Sequence, residues 1–336
     1  MAKNEKKRVC LPIRIISAVL CMIIVLVAIA VIGFSVGENI VFFSFYKNAD
    51  KEFKIPGLWD GVVPQGFEYI EESDTFLYTG YQKDKVSPSV VYIMPDKGEG
   101  EARAVELFNL DGSAYTGHVG GITIYGGTTF IATSGGMDIF NTDDILDNDG
   151  RATKVGKLKL DFDVAFCEVH DGKLYAGNFY RAVDYETPEK HHLTTPCGDK
   201  NTAVIYEYEL DPISELPKNV APSLVYSITD AIQGLAFDNE GRMILSTSWG
   251  LSKSHLYVYE KPAQIFEDAY ETEGLKTDLC YLDSDTLVKD IVAPPMAEEL
   301  VYLDGKVYIM NESASMKYLF GKITGGQYCY AYELCD

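Results

Sequence analysis

Three observations predict the fold class. They are five tandem copies of one strand–turn–strand pattern, a missing last strand supplied from the other end of the chain, and one apolar run near the N-terminus. Together they give an all-β propeller of five four-stranded blades, with six as the alternative count, behind one transmembrane helix. The 336 residues are 47% hydrophobic and 24% charged, enough apolar material for a large all-β domain and too much for a disordered chain. With 29 Lys and Arg against 50 Asp and Glu the net charge is −21, which argues against nucleic acid as a partner.

The elements follow in chain order. Residues 1–14 hold five cations (Lys3, Lys6, Lys7, Arg8, Arg14) and one anion (Glu5), a basic tail on a chain whose remainder has 24 cations and 49 anions. Residues 15–34, IISAVLCMIIVLVAIAVIGF, carry no formal charge over 20 positions. As a helix they span about 30 Å, enough to cross a bilayer core. The tail before them is expected to stay cytoplasmic, which makes the chain a single-pass plasma-membrane protein with its C-terminal bulk outside. A cleaved signal peptide is the alternative, since Ala28-Ile29-Ala30 offers a small-x-small site, but the apolar run continues past it. Residues 35–51 are expected as a stalk, with 40–46 (IVFFSFY) at the outer interface or within that stalk, and residues 52–336 as the propeller.

The five repeats begin QGFEYIEESDTFLYTGY at Gln65, GGITIYGGTTFIATSG at Gly120, AFCEVHDGKLYAGNFY at Ala165, QGLAFDNEGRMILSTSW at Gln233 and EELVYLDGKVYIMNES at Glu298. Each is an alternating run, a tight polar turn such as Asp171-Gly172 or Asp304-Gly305, and a second alternating run, which is hairpin chemistry. A third run follows each hairpin (SVVYIM, MDIFNT, AVIYEYEL, SHLYVYE, QYCYAYEL), and a fourth follows the first four: ARAVELFN from Ala102, ATKVGKLKL from Ala152, SLVYSIT from Ser223 and DTLVKDIV from Asp285. The fifth unit has no fourth run. Glu52-Phe53-Lys54-Ile55-Pro56 is expected to fill that place and close the ring, so that no sheet edge stays open.

Of the seven cysteines, Cys10 and Cys21 sit in or beside the apolar run, and five lie beyond it, an odd number with no C-x-x-C pair. They are expected to be mostly buried thiols, with at most one bridge.

In a propeller the start of each inner strand and the end of its neighbour meet at one mouth of the ring. Polar and aromatic residues in those columns make a candidate ligand site: Gln65, Tyr81, His118, Tyr180, Gln233, Trp249 and Glu298. The aromatic members offer stacking faces for a glycan. His118 is also the candidate general base. Glu168, Asn178, Asn311 and Glu312 are oxygen ligands of the type Ca²⁺ takes, without a contiguous calcium loop. A glycosidase acid pair is a weaker reading, because the inner strand starts carry no Asp. His191, His192 and Cys197 match no compact zinc spacing; they lie in the long polar insertion from Arg181 to Thr202, expected to cover the third blade.

The inner-strand starts (Pro64-Gln65-Gly66-Phe67, His118-Val119-Gly120-Gly121-Ile122, Ile232-Gln233-Gly234-Leu235), with LAFDNEGRMILSTSWG and LVYLDGKVYIMNESAS, resemble the lactonase-like and strictosidine-synthase-like propellers, the group that includes SMP-30 and gluconolactonase. The resemblance covers most of residues 52–336. It implies a calcium ion in the channel, with Glu168, Asn178, Asn311 and Glu312 as the matching candidates, and lactone or ester hydrolysis. Two departures weigh against hydrolysis: five repeats where the family has six, and no counterpart of the family's channel aspartate. The reading of the residues is therefore a membrane-anchored binding module for a small molecule, glycan or protein, with a calcium-dependent lactonase or esterase as the alternative.

Overall fold

The structure is a computed structural model and describes residues 11–147 and 149–334; most of the basic tail, with Cys10 and Cys335, lies outside them. Five antiparallel sheets form five blades. Blade 1 runs Val62–Ile70, Thr75–Gln82, Val90–Met94 and Arg103–Phe108 from the channel outward. Blade 2 is Ile122–Tyr125, Thr128–Thr133, Gly136–Asn141 and Gly156–Lys159, and blade 3 is Phe166–His170, Lys173–Gly177, Ala203–Glu209 and Leu224–Ile228. Blade 4 is Ile232–Phe237, Met243–Thr247, Ser254–Tyr259 and Leu287–Ala293. Blade 5 has Ala297–Leu303, Lys306–Asn311 and Tyr328–Glu333, and its outer strand is the N-terminal Ala49–Lys54, paired antiparallel to Tyr328–Glu333. The closure expected from the sequence is present, and the strand begins three residues earlier than the run at Glu52.

Two features differ from the repeat pattern. The run from Ala152 does not form one outer strand. Arg151–Thr153 joins blade 1, parallel to Arg103–Phe108, and the blade 2 strand starts at Gly156, so the run crosses the seam between two sheets. A hairpin, Phe266–Thr272 with Leu275–Tyr281, is inserted before the last strand of blade 4 and adds to the outer edge of blade 3 by parallel pairing. It belongs to no blade's own four strands, so the repeat carries no sign of it. Both additions cover an outer strand that would otherwise present unpaired backbone groups.

Packing between blades buries alternate faces of adjacent sheets. Between blades 1 and 5, for example, Phe67, Phe76, Tyr78, Val301 and Met310 share one cluster. Among the described cysteines all five are free thiols; Cys167, Cys280 and Cys329 are buried and behave as small apolar residues.

Helix α1, Leu11–Val41, leads into a short helix α2, Phe43–Lys47. Its stretch Ile15–Val41 is long and apolar enough to cross a membrane. The segment expected as a stalk, residues 35–51, holds the end of α1, all of α2 and the start of the closing strand. Phe42 and Phe45 are buried with Ala236, Leu256, Ile291 and Ile309 in the groove between blades 4 and 5. Phe45 stacks on Tyr332, and the Tyr46 hydroxyl donates to Glu38.

Candidate functional site

The inner strands of blades 1, 4 and 5 each carry a register shift near their start: between Pro64 and Phe67, Ile232 and Gly234, and Ala297 and Leu300. A bulge re-aims side chains. Here it directs Gln65, Gln233 and the Glu298-Glu299 pair at the ring's centre, which gives a physical reason for the Gln-Gly and Glu-Glu motifs at those points.

Glu299 is the channel's hub. Its Oε2 accepts the backbone N–H of Phe67 and of Ile122, and Oε1 accepts that of Cys167, each at 2.9 Å. One carboxylate thus ties blades 1, 2 and 3 to blade 5. The surrounding glycines leave it space. A Cβ on Gly121 would lie 2.3 Å from Glu299 Oε1, and one on Gly234 would lie 2.6 Å from Glu299 Cα. Burial pushes the Glu299 pKa well above the ordinary carboxylate value, while the three N–H donors pull it down. Glu68 and Glu168 follow the hub-binding residues along their strands and sit beyond it, away from the mouth. Glu68 accepts N–H groups from Tyr69 (2.7 Å) and Ile124 (3.3 Å), and burial pushes it up to about 7. Glu168 is raised by burial and then by its neighbours Glu68 and Glu299.

On the other side of the hub a cavity of about 980 Å³ opens at the mouth. All five blades reach it: Gln65 and Tyr81 from blade 1, His118 and Ser134 around blade 2, Asn178 and Phe179 from blade 3, Gln233, Ser248 and Trp249 from blade 4, and Glu312, Lys317 and Tyr318 from blade 5. Residues 184–188 of the long insertion form part of the wall, as the expected covering loop. Of the seven sequence-predicted ligand residues, Gln65, Tyr81, His118, Gln233 and Trp249 line this cavity. Glu298 lies just beneath, within reach of Ser248 Oγ at 3.5 Å, and Tyr180 points aside, its ring edge-on to His192.

Two carboxyls, Glu298 and Glu312, face one cation at the cavity floor. Burial raises both carboxyls, and the Glu312 charge raises Glu298 further, while Lys317 pulls both down, leaving Glu312 at about 7 and Glu298 well above the ordinary value. Gln65 Nε2 donates to Glu312 at 3.1 Å, and Lys317 Nζ donates to the Tyr81 hydroxyl at 2.6 Å. His118 packs against Tyr81, the rings tilted by 36° with centres 4.6 Å apart. Enclosure, then the nearby Lys317 and Lys85, lower its pKa to about 4, so it is neutral near pH 7, a weak base suited to accept a hydrogen bond. Trp249 carries Arg181 over its ring at 4.8 Å, with Tyr185 at its edge. Lys317, Tyr185 and Tyr318 escaped the sequence reading because they lie in loops between strands, outside the repeat.

The four candidate calcium ligands do not converge. Glu168 sits with Glu68 and Glu299, beyond the hub. Asn178 is spent on structure: its Oδ1 accepts Val204 N–H and its Nδ2 meets His191 Nδ1, both at 2.8 Å. Glu312 already faces Lys317 and Gln65, and Asn311 does not line the cavity. Among the described residues no group of three or more His, Cys, Asp or Glu side chains is arranged to hold a metal ion. The residues present therefore do not fit a calcium ion on that set. His191, His192 and Cys197 are also apart: His191 is buried beside Phe162, His192 pairs with Thr187, and Cys197 lies by Thr195 and Ser284.

Fold and site together define a five-bladed propeller with a buried carboxylate hub between its blades and a lined cavity at one mouth. No protein-family model matches the chain, and no curated protein does. Solved structures similar to it are propellers at low identity. They include the PQQ-bound aldose sugar dehydrogenase of Streptomyces coelicolor (11% identity, TM-score 0.45, 84% of this chain and 96% of that one). Others are the calcium-binding protein regucalcin of Agrobacterium tumefaciens (12%, 0.38, 80% and 89%) and the WD40 propeller domain of Doa1 (5%, 0.40, 86% and 98%). The fold assignment here rests on the chain's own sheet order.

Proposed function

We propose that this protein is a membrane-anchored, extracytoplasmic binding module that takes a small ligand or a glycan into the mouth cavity. The observation that carries the reading is the cavity itself, to which all five blades deliver polar and aromatic side chains. Asp184, Glu186 and Glu312 outnumber Lys317 on its wall, and Tyr81, Phe179, Tyr185 and Trp249 supply flat apolar faces. That combination suits a ligand bearing hydroxyls or an ammonium group. The basic tail and the apolar helix support an N-terminus in the cytoplasm and a propeller outside. Calcium-dependent hydrolysis finds no converging ligand set on Glu168, Asn178, Asn311 and Glu312.

The test is a panel of oligosaccharides and organic amines, scored by thermal shift and calorimetry on the full chain in detergent. Binding that Tyr81→Ala and Trp249→Ala each weaken at least tenfold, about 1.4 kcal/mol, supports the reading. A bound ligand indifferent to both changes, or turnover of lactones or esters without saturable binding to the panel, overturns it.

A further inference from the structure

The position of α1 relative to the mouth has a consequence for how the propeller sits. Strand Lys306–Asn311 runs toward the mouth, Tyr328–Glu333 runs back, and Ala49–Lys54 is antiparallel to that. The Lys54 end and the following loop with Trp59 are therefore on the mouth face, as is the segment after Asn311. The closing strand starts on the far face, at Ala49. Yet α1 does not leave from there, because it runs alongside the turn Phe320–Ile323 on the mouth face. Toward the end of α1, Val31, Ser35 and Glu38, followed by the buried Phe42 just beyond it, are covered at intervals of three or four residues along one helical face, with Gly37 the one further partly covered position beside it. Val31 already lies within the uncharged run 15–34.

The mouth-face rim beside α1 is unusual for so acidic a chain. Trp59 is 66% exposed, and Leu319 and Ile323 are exposed with it. Lys322 Nζ lies 3.6 Å from the Trp59 ring centre and donates to Leu58 O at 3.0 Å. Lys83 Nζ donates to Met316 O at 2.8 Å. Exposed aromatic and aliphatic side chains among lysines, next to the end of an apolar helix, match the chemistry of a bilayer interface. The length agrees: Ile15–Val41 has 27 residues, about 40 Å of helix against a core of about 30 Å, so its last two turns pass through the headgroup layer where the rim begins.

Resting on the membrane-anchored reading, we propose that the rim formed by Trp59, Leu319, Lys322 and Ile323 lies against the outer surface of the bilayer, with anionic headgroups at its lysines, so that the cavity opens on the membrane side. The full chain has two tryptophans, and Trp249→Phe leaves Trp59 as the sole reporter. This variant is reconstituted into phosphatidylcholine–phosphatidylglycerol vesicles with brominated acyl chains. Trp59 is expected to lose roughly half or more of its emission to the brominated lipid and to be shielded from aqueous iodide. Leu319→Glu with Ile323→Glu should reverse both effects while the protein stays in the membrane through an alkaline carbonate wash. Retained protein whose Trp59 is quenched by iodide and not by brominated lipid overturns the rim alone, as does quenching unaffected by the double substitution. Protein released by the wash overturns the anchoring reading and the rim with it.

Discussion

Removing the Glu299 carboxylate should loosen three blades at once. In Glu299→Ala the N–H groups of Phe67, Ile122 and Cys167 lose their acceptor in a buried channel. An unsatisfied buried donor costs about 1–3 kcal/mol, so the sum lies near 3–9 kcal/mol before relaxation or water entry reduces it. Against a usual total stability of about 5–15 kcal/mol that is a large fraction. Glu299→Gln is the graded control. Its amide oxygen can take the place of Oε2 and keep Phe67 and Ile122, while its NH2 opposes the Cys167 N–H, for a loss of about 1–3 kcal/mol. At about 2–4 °C per kcal/mol, thermal unfolding of the full chain in detergent should show a fall of several degrees for Gln and of about 10 °C or more for Ala. Hydrogen exchange gives the specific signature: faster exchange at Phe67, Ile122 and Cys167, which are far apart in sequence and belong to three different blades. A Glu299→Ala protein that melts within about 1 kcal/mol of the parent, with unchanged protection at those amides, would refute the idea that this carboxylate holds the ring together.

Other outcomes follow from the same geometry. Gly121→Ala should lower stability by about 1–3 kcal/mol in the same melting assay, since its Cβ would meet Glu299 Oε1 at 2.3 Å and Cys167 N at 2.6 Å. Phe45→Ala should lose about 3–5 kcal/mol, and a chain starting at residue 49 should melt lower than one starting at 41, because α2 fills the groove between blades 4 and 5. Glu312, raised to about 7 by burial, holds a proton in the folded state that the unfolded chain releases above about 4.5. Its contribution to stability is therefore full at low pH and falls by roughly 3 kcal/mol as pH rises from about 4.5 to about 7, and Glu312→Gln should flatten that part of the stability–pH curve. Lys317→Met removes the cation that pulls Glu312 down, so the same decline should extend to higher pH.

Much of the ring was legible because its signal is periodic. Alternating runs around Asp-Gly and Gly-Gly turns locate the blades, and the absence of a fourth run after Tyr328–Glu333 points to the N-terminal strand that fills it. What periodicity does not encode was missed. The 266–281 hairpin pairs with blade 3 while sitting in the sequence of blade 4, and the Ala152 run divides between sheets because Gly156 opens the second strand. At the site, the strand-start and strand-end columns identified Gln65, Tyr81, Gln233 and Trp249. They could not say which neighbouring carboxyl faces which side of the ring. Residues 298 and 299 are adjacent, yet Glu298 meets the mouth and Glu299 takes the three N–H groups, a choice set by a bulge with no mark in the local sequence. Asn178 looked like a ligand because its amide is polar and at a strand end, but that amide ties the blade 3 strand to the insertion, bonding Val204 on one side and His191 on the other.

The hub also constrains how any activity can be arranged. A propeller channel is in principle open at both ends, but here the buried side chain of Glu299 lies between the blades and accepts N–H groups from blades 1, 2 and 3. Glu68 and Glu168 do not line the mouth cavity and so stand apart from a molecule held by Gln65, Tyr81 and Trp249. The groups at the cavity floor are neutral His118, the Glu298–Glu312 pair and the Lys317 that faces it, with Asp184 and Glu186 on the wall. Because Lys317, held by the Tyr81 hydroxyl, already sets its charge against the two carboxyls, a cationic ligand group would compete with it for them, and a ligand hydroxyl could bond beside both without displacing either. The two ligand classes are thus separable by one change. Lys317→Met should strengthen binding of an ammonium ligand by opening the carboxyls to it, and weaken binding of a hydroxylated one by removing a donor. A titration of each class against the parent and the variant gives opposite signs if this floor is the binding surface, and equal affinities for both proteins if the ligand sits elsewhere in the cavity.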